Sequence, residues 1–156
     1  MDRQCKIRIQ IADGAIQDAK TVWGFHLIES DETIIPPVRD YETIKFPESA
    51  AEEIYPYTVF EPFDYTCTLL CIGALTTINS TVKNFYDSLF TVTSGVDLRQ
   101  AKVITLYNDY KGVKVSGYVK TAEGQDYYPE LIKADTGAYL FDFVLHVADP
   151  KTLTNL

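Results

Sequence analysis

Residues 63–73 read Phe63-Asp64-Tyr65-Thr66-Cys67-Thr68-Leu69-Leu70-Cys71-Ile72-Gly73. Phe63, Tyr65, Cys67 and Leu69 fall on one side, and Asp64, Thr66 and Thr68 on the other. That is the period of two that marks a β-strand with one wet face. At Leu70–Ile72 both sides turn apolar, as a long central strand requires. The period then changes. Between Asn79 and Thr91 the apolar positions are Val82, Phe85, Tyr86, Leu89 and Phe90, spaced i, i+3, i+4, i+7 and i+8, which is one face of an α-helix. Asn79 or Ser80 is placed to cap it, while Lys83, Asn84, Asp87 and Ser88 face water. A central strand followed by one amphipathic helix predicts a sheet with a single helix packed on it.

The flanks extend that reading. Cys5-Lys6-Ile7-Arg8-Ile9-Gln10-Ile11 alternates as a half-buried strand ended by Asp13-Gly14. Val22–Ile28 is a second strand candidate, broken by Gly24. Residues 29–40 are a polar connection in which Pro36-Pro37 cannot donate to a ladder. Tyr41–Phe46 is a short strand candidate, and Glu48–Glu53 reads either as a turn of helix or as an acidic loop. After the helix, Ala101–Tyr107 and Tyr110–Lys120 form a strand pair whose turn is Asn108-Asp109 or Lys111-Gly112. A polar stretch with Gly124, Pro129 and Gly137 leads to a last strand, where Tyr139, Phe141, Phe143, Leu145 and Val147 alternate with Leu140, Asp142, Val144, His146 and Ala148. The fold class is mostly β (α+β): an antiparallel sandwich or split barrel, one packing helix at about 79–91, and one domain over residues 1–156.

Composition narrows the function. The 22 acidic side chains against 14 basic ones give a net charge of −8. An acidic surface repels phosphates, so specific nucleic-acid binding and anionic-membrane docking are not expected. The N-terminus lacks a signal peptide's apolar core and no window spans a bilayer, so an intracellular soluble chain is expected. Cys5, Cys67 and Cys71 make an odd count without a disulfide pattern, and the last two are expected as buried, reduced thiols.

Chemistry-bearing motifs are absent. No glycine-rich phosphate loop occurs, and no calcium loop. His26 and His146 have no Cys, His or acidic neighbour at ligand spacing. His146 could reach Cys67 or Cys71 if their strands share a sheet, but apolar surroundings would silence the thiolate. Catalytic residues, cofactors and metals are therefore all expected to be none. The eleven Tyr and eight Phe are shared between core packing and protein contacts, since Tyr and Phe are favoured at interfaces. Tyr55, Tyr57, Phe60, Tyr127 and Tyr128, in loops 47–62 and 121–138, are the candidates for a subunit interface.

The stretch from Arg39 to Thr91 adds a resemblance. Thr43-Ile44-Lys45-Phe46 runs through a loop into Glu61-Pro62-Phe63-Asp64-Tyr65-Thr66-Cys67-Thr68-Leu69, and the helix Asn79–Phe90 precedes a strand pair around Leu106-Tyr107-Asn108. This layout resembles distal-tail and tail-tube proteins of phages and prophages, with their split-barrel domain and single packing helix. The resemblance implies a homo-oligomeric ring in which edge strands and loops of one copy meet the next. It also implies neighbouring tail proteins as partners, and residence in the cytoplasm during assembly and in the virion afterwards. An acidic channel wall would let DNA pass. The alternatives from the residues are a small ligand- or carbohydrate-binding β module and, more remotely, a hydrolase.

Overall fold

The computed structural model describes residues 6–45, 52–54, 58–92 and 99–156, with 45, 52–54, 121–127 and 130–133 as backbone alone. Alternation writes most of the strands. β1 (Ile7–Ile11) is the expected N-terminal strand, and it turns back as β2 (Ile16–Asp18), pairing Gln10 with Ile16. Asp18 then caps a short helix α1 (Ala19–Trp23), its carboxylate accepting from the Lys20 amide at 3.0 Å. Gly24 ends that helix at φ +73, a left-handed conformation that glycine adopts without strain. The expected strand from Val22 therefore starts only at Phe25, as β3 (Phe25–Ser30). Five helical residues are too few to print a period.

β4 (Thr43–Lys45) and β5 (Glu52–Ile54) pair with each other as a small separate ladder. The long strand quoted first is β6 (Phe63–Ala74). The main helix, α2, spans Ile78–Ser88. It begins one residue before the expected Asn79, and the cap position falls on Thr77, whose backbone carbonyl accepts from Thr81 at 2.9 Å. It also ends sooner than 91, because Phe90 already belongs to β7 (Phe90–Val92), laddered to β8 (Arg99–Ala101).

β9 (Ile104–Asn108) and β10 (Val113–Lys133) flank a turn at residues 109–112, with Gly112 at φ +75. β11 (Thr136–Val147) follows, and β12 (Thr154–Asn155) closes the chain after a 3-10 turn at Pro150–Thr152. The segment expected as a polar loop, 121–138, is instead the far half of the β10–β11 hairpin. Register shifts between Val119 and Thr121, Gly124 and Asp126, and Tyr128 and Lys133 reset its side-chain parity. That is why alternation could not be read there, and Pro129 sits inside one of these irregular intervals.

β10 joins two antiparallel sheets. Its residues 113–117 pair with β9, in the order β2-β1-β9-β10, with β12 along the other side. From Tyr118 it pairs with β11 instead, in the order β10-β11-β6-β3. Gly117 stands at that corner, where a Cβ would collide with the His146 carbonyl oxygen. Ile7, Ile9, Ile104, Leu106, Val113 and Val115 of the first sheet face Tyr65, Cys67, Leu69, Phe143, Leu145 and Val147 of the second. α2 fills one end with Phe85, whose ring lies 4.9 Å from both Trp23 and Phe25 in edge contacts. Much of the aromatic excess is therefore spent inside.

Candidate functional site

Between β3 and β6 the described residues 31–45, 52–54 and 58–62 leave the sandwich as an arm. Its root is tied down. The Asp31 amide donates to the Thr66 carbonyl at 2.9 Å, and the Asp31 carboxylate accepts from the Thr33 amide at 2.8 Å, a turn of the Asx type. The two limbs then meet. Arg39 N–H donates to Val59 at 2.9 Å, Glu61 N–H to Pro37 at 2.8 Å, and the Thr58 hydroxyl to Arg39 at 2.7 Å, around the antiparallel bridge of Val38 with Phe60.

On and around this narrow ladder, apolar side chains of the arm reach solvent. Ile34 and Ile35 are 60% and 66% exposed, Ile44 and Val59 more than half, and Val38 and Phe60 only slightly less. A two-stranded ribbon is marginal alone in water, and clustered exposed apolar groups mark contact surfaces. Tyr41, Thr58, Val59, Phe60 and Val38 enclose an open groove of about 300 Å³.

The second sheet turns one face away from the core. There, register sets Glu29 opposite Thr68, Thr68 opposite Asp142 and Asp142 opposite Glu123. Glu29 and Asp142 thus flank Thr68 in one cross-strand row. Thr68 Oγ1 donates to Asp142 at 2.8 Å. Ile28, Glu29, Asp31, Thr66, Leu140 and Asp142 line a shallow trough of about 460 Å³ on this face.

Both histidines also sit on this face. Asp64 accepts from Lys120 Nζ at 2.6 Å and pairs with His146 Nδ1 at 2.8 Å. Those bonds, the Lys120 one first, hold the carboxyl below its usual range. Burial lowers the His26 pKa, with Lys20 adding to it. Cys67 and Cys71 point the other way, into the core, where burial pushes their thiols up to about 12 and about 11. Imidazole and thiol therefore stand on opposite faces of one sheet, so the Cys–His pairing weighed from sequence is not formed. Among the described residues no group of three or more His, Cys, Asp or Glu is arranged for a metal, and no helix is long and apolar enough to cross a membrane.

Of the interface candidates, Phe60 lies on the arm, 47% exposed, and Tyr128 on β10, 40% exposed. The two belong to different projections of the fold. Tyr55 and Tyr57 lie outside the described residues, as does the side chain of Tyr127. Sequence reasoning missed Ile34, Ile35, Val38, Ile44 and Val59. A signal was present: Ile34-Ile35 directly precede Pro36-Pro37, and an apolar pair beside two prolines has no ladder to enter.

No protein-family model matches the chain, and no curated protein matches it. Among solved structures its fold is similar to that of SPP1 Dit (gp 19.1), described as a paradigm of the hub adsorption apparatus in phages infecting Gram-positive hosts. The TM-score is 0.58 at 12% identity, over 92% of this chain and 50% of that one. The chain thus spans about half the length of the protein it matches, and at that identity the likeness is one of fold.

Proposed function

We propose that this chain is a non-enzymatic structural subunit of a phage or prophage tail that assembles into a homo-oligomeric ring. The exposed apolar arm carries the reading. A ribbon bearing Ile34, Ile35, Ile44 and Val59 in water gains by lying on another surface, and a second copy supplies one. Two strand edges with a single described neighbour favour the same outcome. Among the described residues β3 pairs only with β6, and β10 beyond Tyr118 only with β11. These edges lie on opposite sides of one sheet, so contact between copies is head-to-tail, and such contacts close into rings when the rotation permits.

The acidic balance of 22 Asp and Glu against 14 Lys and Arg, with Glu29 and Asp142 on the outer face, suits a surface turned to the bore, where carboxylates repel passing phosphates rather than hold them. Neighbouring tail proteins are the further partners, met in the cytoplasm during assembly and retained in the virion. The interior between α2 and the sheets is filled by packed aromatic rings, which leaves little room for the alternative of a ligand-holding barrel.

Sedimentation analysis tests the proposal. A defined oligomer is expected, with an interface above ~1,000 Å² per contact, and Ile34→Ser with Ile44→Ser should shift it to monomer. A wild-type chain that stays monomeric at high concentration overturns the reading.

A further inference from the structure

We infer that the turn between β9 and β10 aims the arm, with Lys111 as the residue that positions it for the neighbouring copy. This rests on the ring reading and adds the device that sets the arm's direction. Lys111 Nζ reaches Glu32, one residue past the arm's root, at 2.5 Å. The Glu32 side chain is 84% exposed, but the Lys111 side chain only 22%, and its ammonium lies 5.4 Å from the centre of the Tyr110 ring. The cation is thus held in place before it grips the arm.

The turn beneath it is rigid for a separate reason. Asn108, fully buried, accepts from the Lys111 amide at 3.0 Å through its side-chain oxygen and donates through Nδ2 to Tyr65 at 2.9 Å. One line of bonds therefore runs from the core strand β6 through Asn108 and Lys111 to Glu32. At the arm's root it acts beside the Asx turn of Asp31.

An arm that swings freely must be ordered on every association, so a pre-set direction strengthens contact without adding interface. A half-exposed ion pair is a weak bond, worth about three- to fivefold per contact, but a closed ring repeats it at every subunit.

The test compares the whole chain with Lys111→Ala, Lys111→Arg and the swap Lys111→Glu with Glu32→Lys, by sedimentation equilibrium. Urea midpoints are taken at dilutions where only monomer is present. Lys111→Ala should weaken each contact about three- to fivefold, Lys111→Arg should keep it, and the swap should recover most of it, with the monomer midpoint lowered no further than the loss of one part-exposed ion pair accounts for. Association of Lys111→Ala as tight as wild type overturns the inference while leaving the ring reading intact. So does a monomer midpoint that falls further than one ion pair accounts for, or a swap that recovers nothing. A wild type that never associates removes the ring reading and this inference together.

Discussion

Asn108, the last residue of β9, donates through Nδ2 to the Tyr65 hydroxyl near the start of β6 at 2.9 Å, joining the two sheets at one end of the core. Asn108 is the one buried polar residue among those described. Burial holds the Tyr65 phenol up at about 12, so it stays neutral at every working pH. A buried amide is tolerated only when its groups are bonded, and here both ends of the side chain are used, one for Tyr65 and one for the turn. Asn108→Leu strands the Tyr65 hydroxyl and frees the turn, and should cost about 1–3 kcal/mol. Tyr65→Phe should cost a comparable amount, and the double variant less than the sum. Urea denaturation of the four proteins measures this, and full additivity would mean that the bond contributes nothing.

Gly117 marks the corner where β10 passes from one sheet to the other. A methyl group there would collide with the His146 carbonyl and lie 3.3 Å from the Val147 Cα. Both are backbone and cannot turn aside, so Gly117→Ala should destabilise by about 1–3 kcal/mol or more. Gly73 is the control, because a methyl group added there would meet nothing within 4 Å. Gly73→Ala, within β6, should be neutral or stabilising by up to about 1 kcal/mol. Equal effects at the two sites would remove the steric account of the corner.

The strands that one face of water edits were legible from residues alone. β1, β6 and β11 alternate because a polar face stays wet while the other enters the core, and α2 shows its period because Val82 and Phe85 enter the core while Lys83, Asn84 and Asp87 do not. The far half of β10 was not legible, since three register shifts break its parity. Nor was α1, whose capping by Asp18 and Gly24 spans too little chain to form a pattern. Of the arm's described exposed apolar residues, Phe60 alone was among the sequence candidates. Its isoleucines looked like ordinary apolar residues of a connection, and only their position outside both sheets reveals them as exposed. Composition registers that a side chain is apolar, not where in the fold it stands.

Cys67 and Cys71 give a chemical readout of the core. With pKa values pushed to about 12 and about 11 by burial, each thiol holds on the order of a thousandth or less of its thiolate at pH 8. In a Cys5→Ser background both should resist aromatic disulfide reagents while the protein is folded, and react at the rate of opening when urea is added. Fast labelling of Cys67 with the native signal intact would contradict its place on the core face of β6.

Asp64 ties three strands together on the face turned away from the core, through Lys120 of β10 and His146 of β11. Its folded pKa lies below the ordinary carboxylate value, by the hydrogen bond from Lys120 first and that from His146 second. A depressed carboxyl contributes stability that is present above its unfolded pKa and lost as the pH falls through the folded one. The side chains of the cluster are 37% to 55% exposed, so solvent screening limits the contribution to about 0.5–1 kcal/mol. Asp64→Asn should therefore be less stable than wild type by that amount at pH 7 and in low salt. The gap should narrow as the pH drops below about 4, and high salt should narrow it at any pH. Urea midpoints from pH 7 down to pH 3, at two salt concentrations, decide it. A gap that stays constant across that range would mean that Asp64 acts through its shape and not its charge.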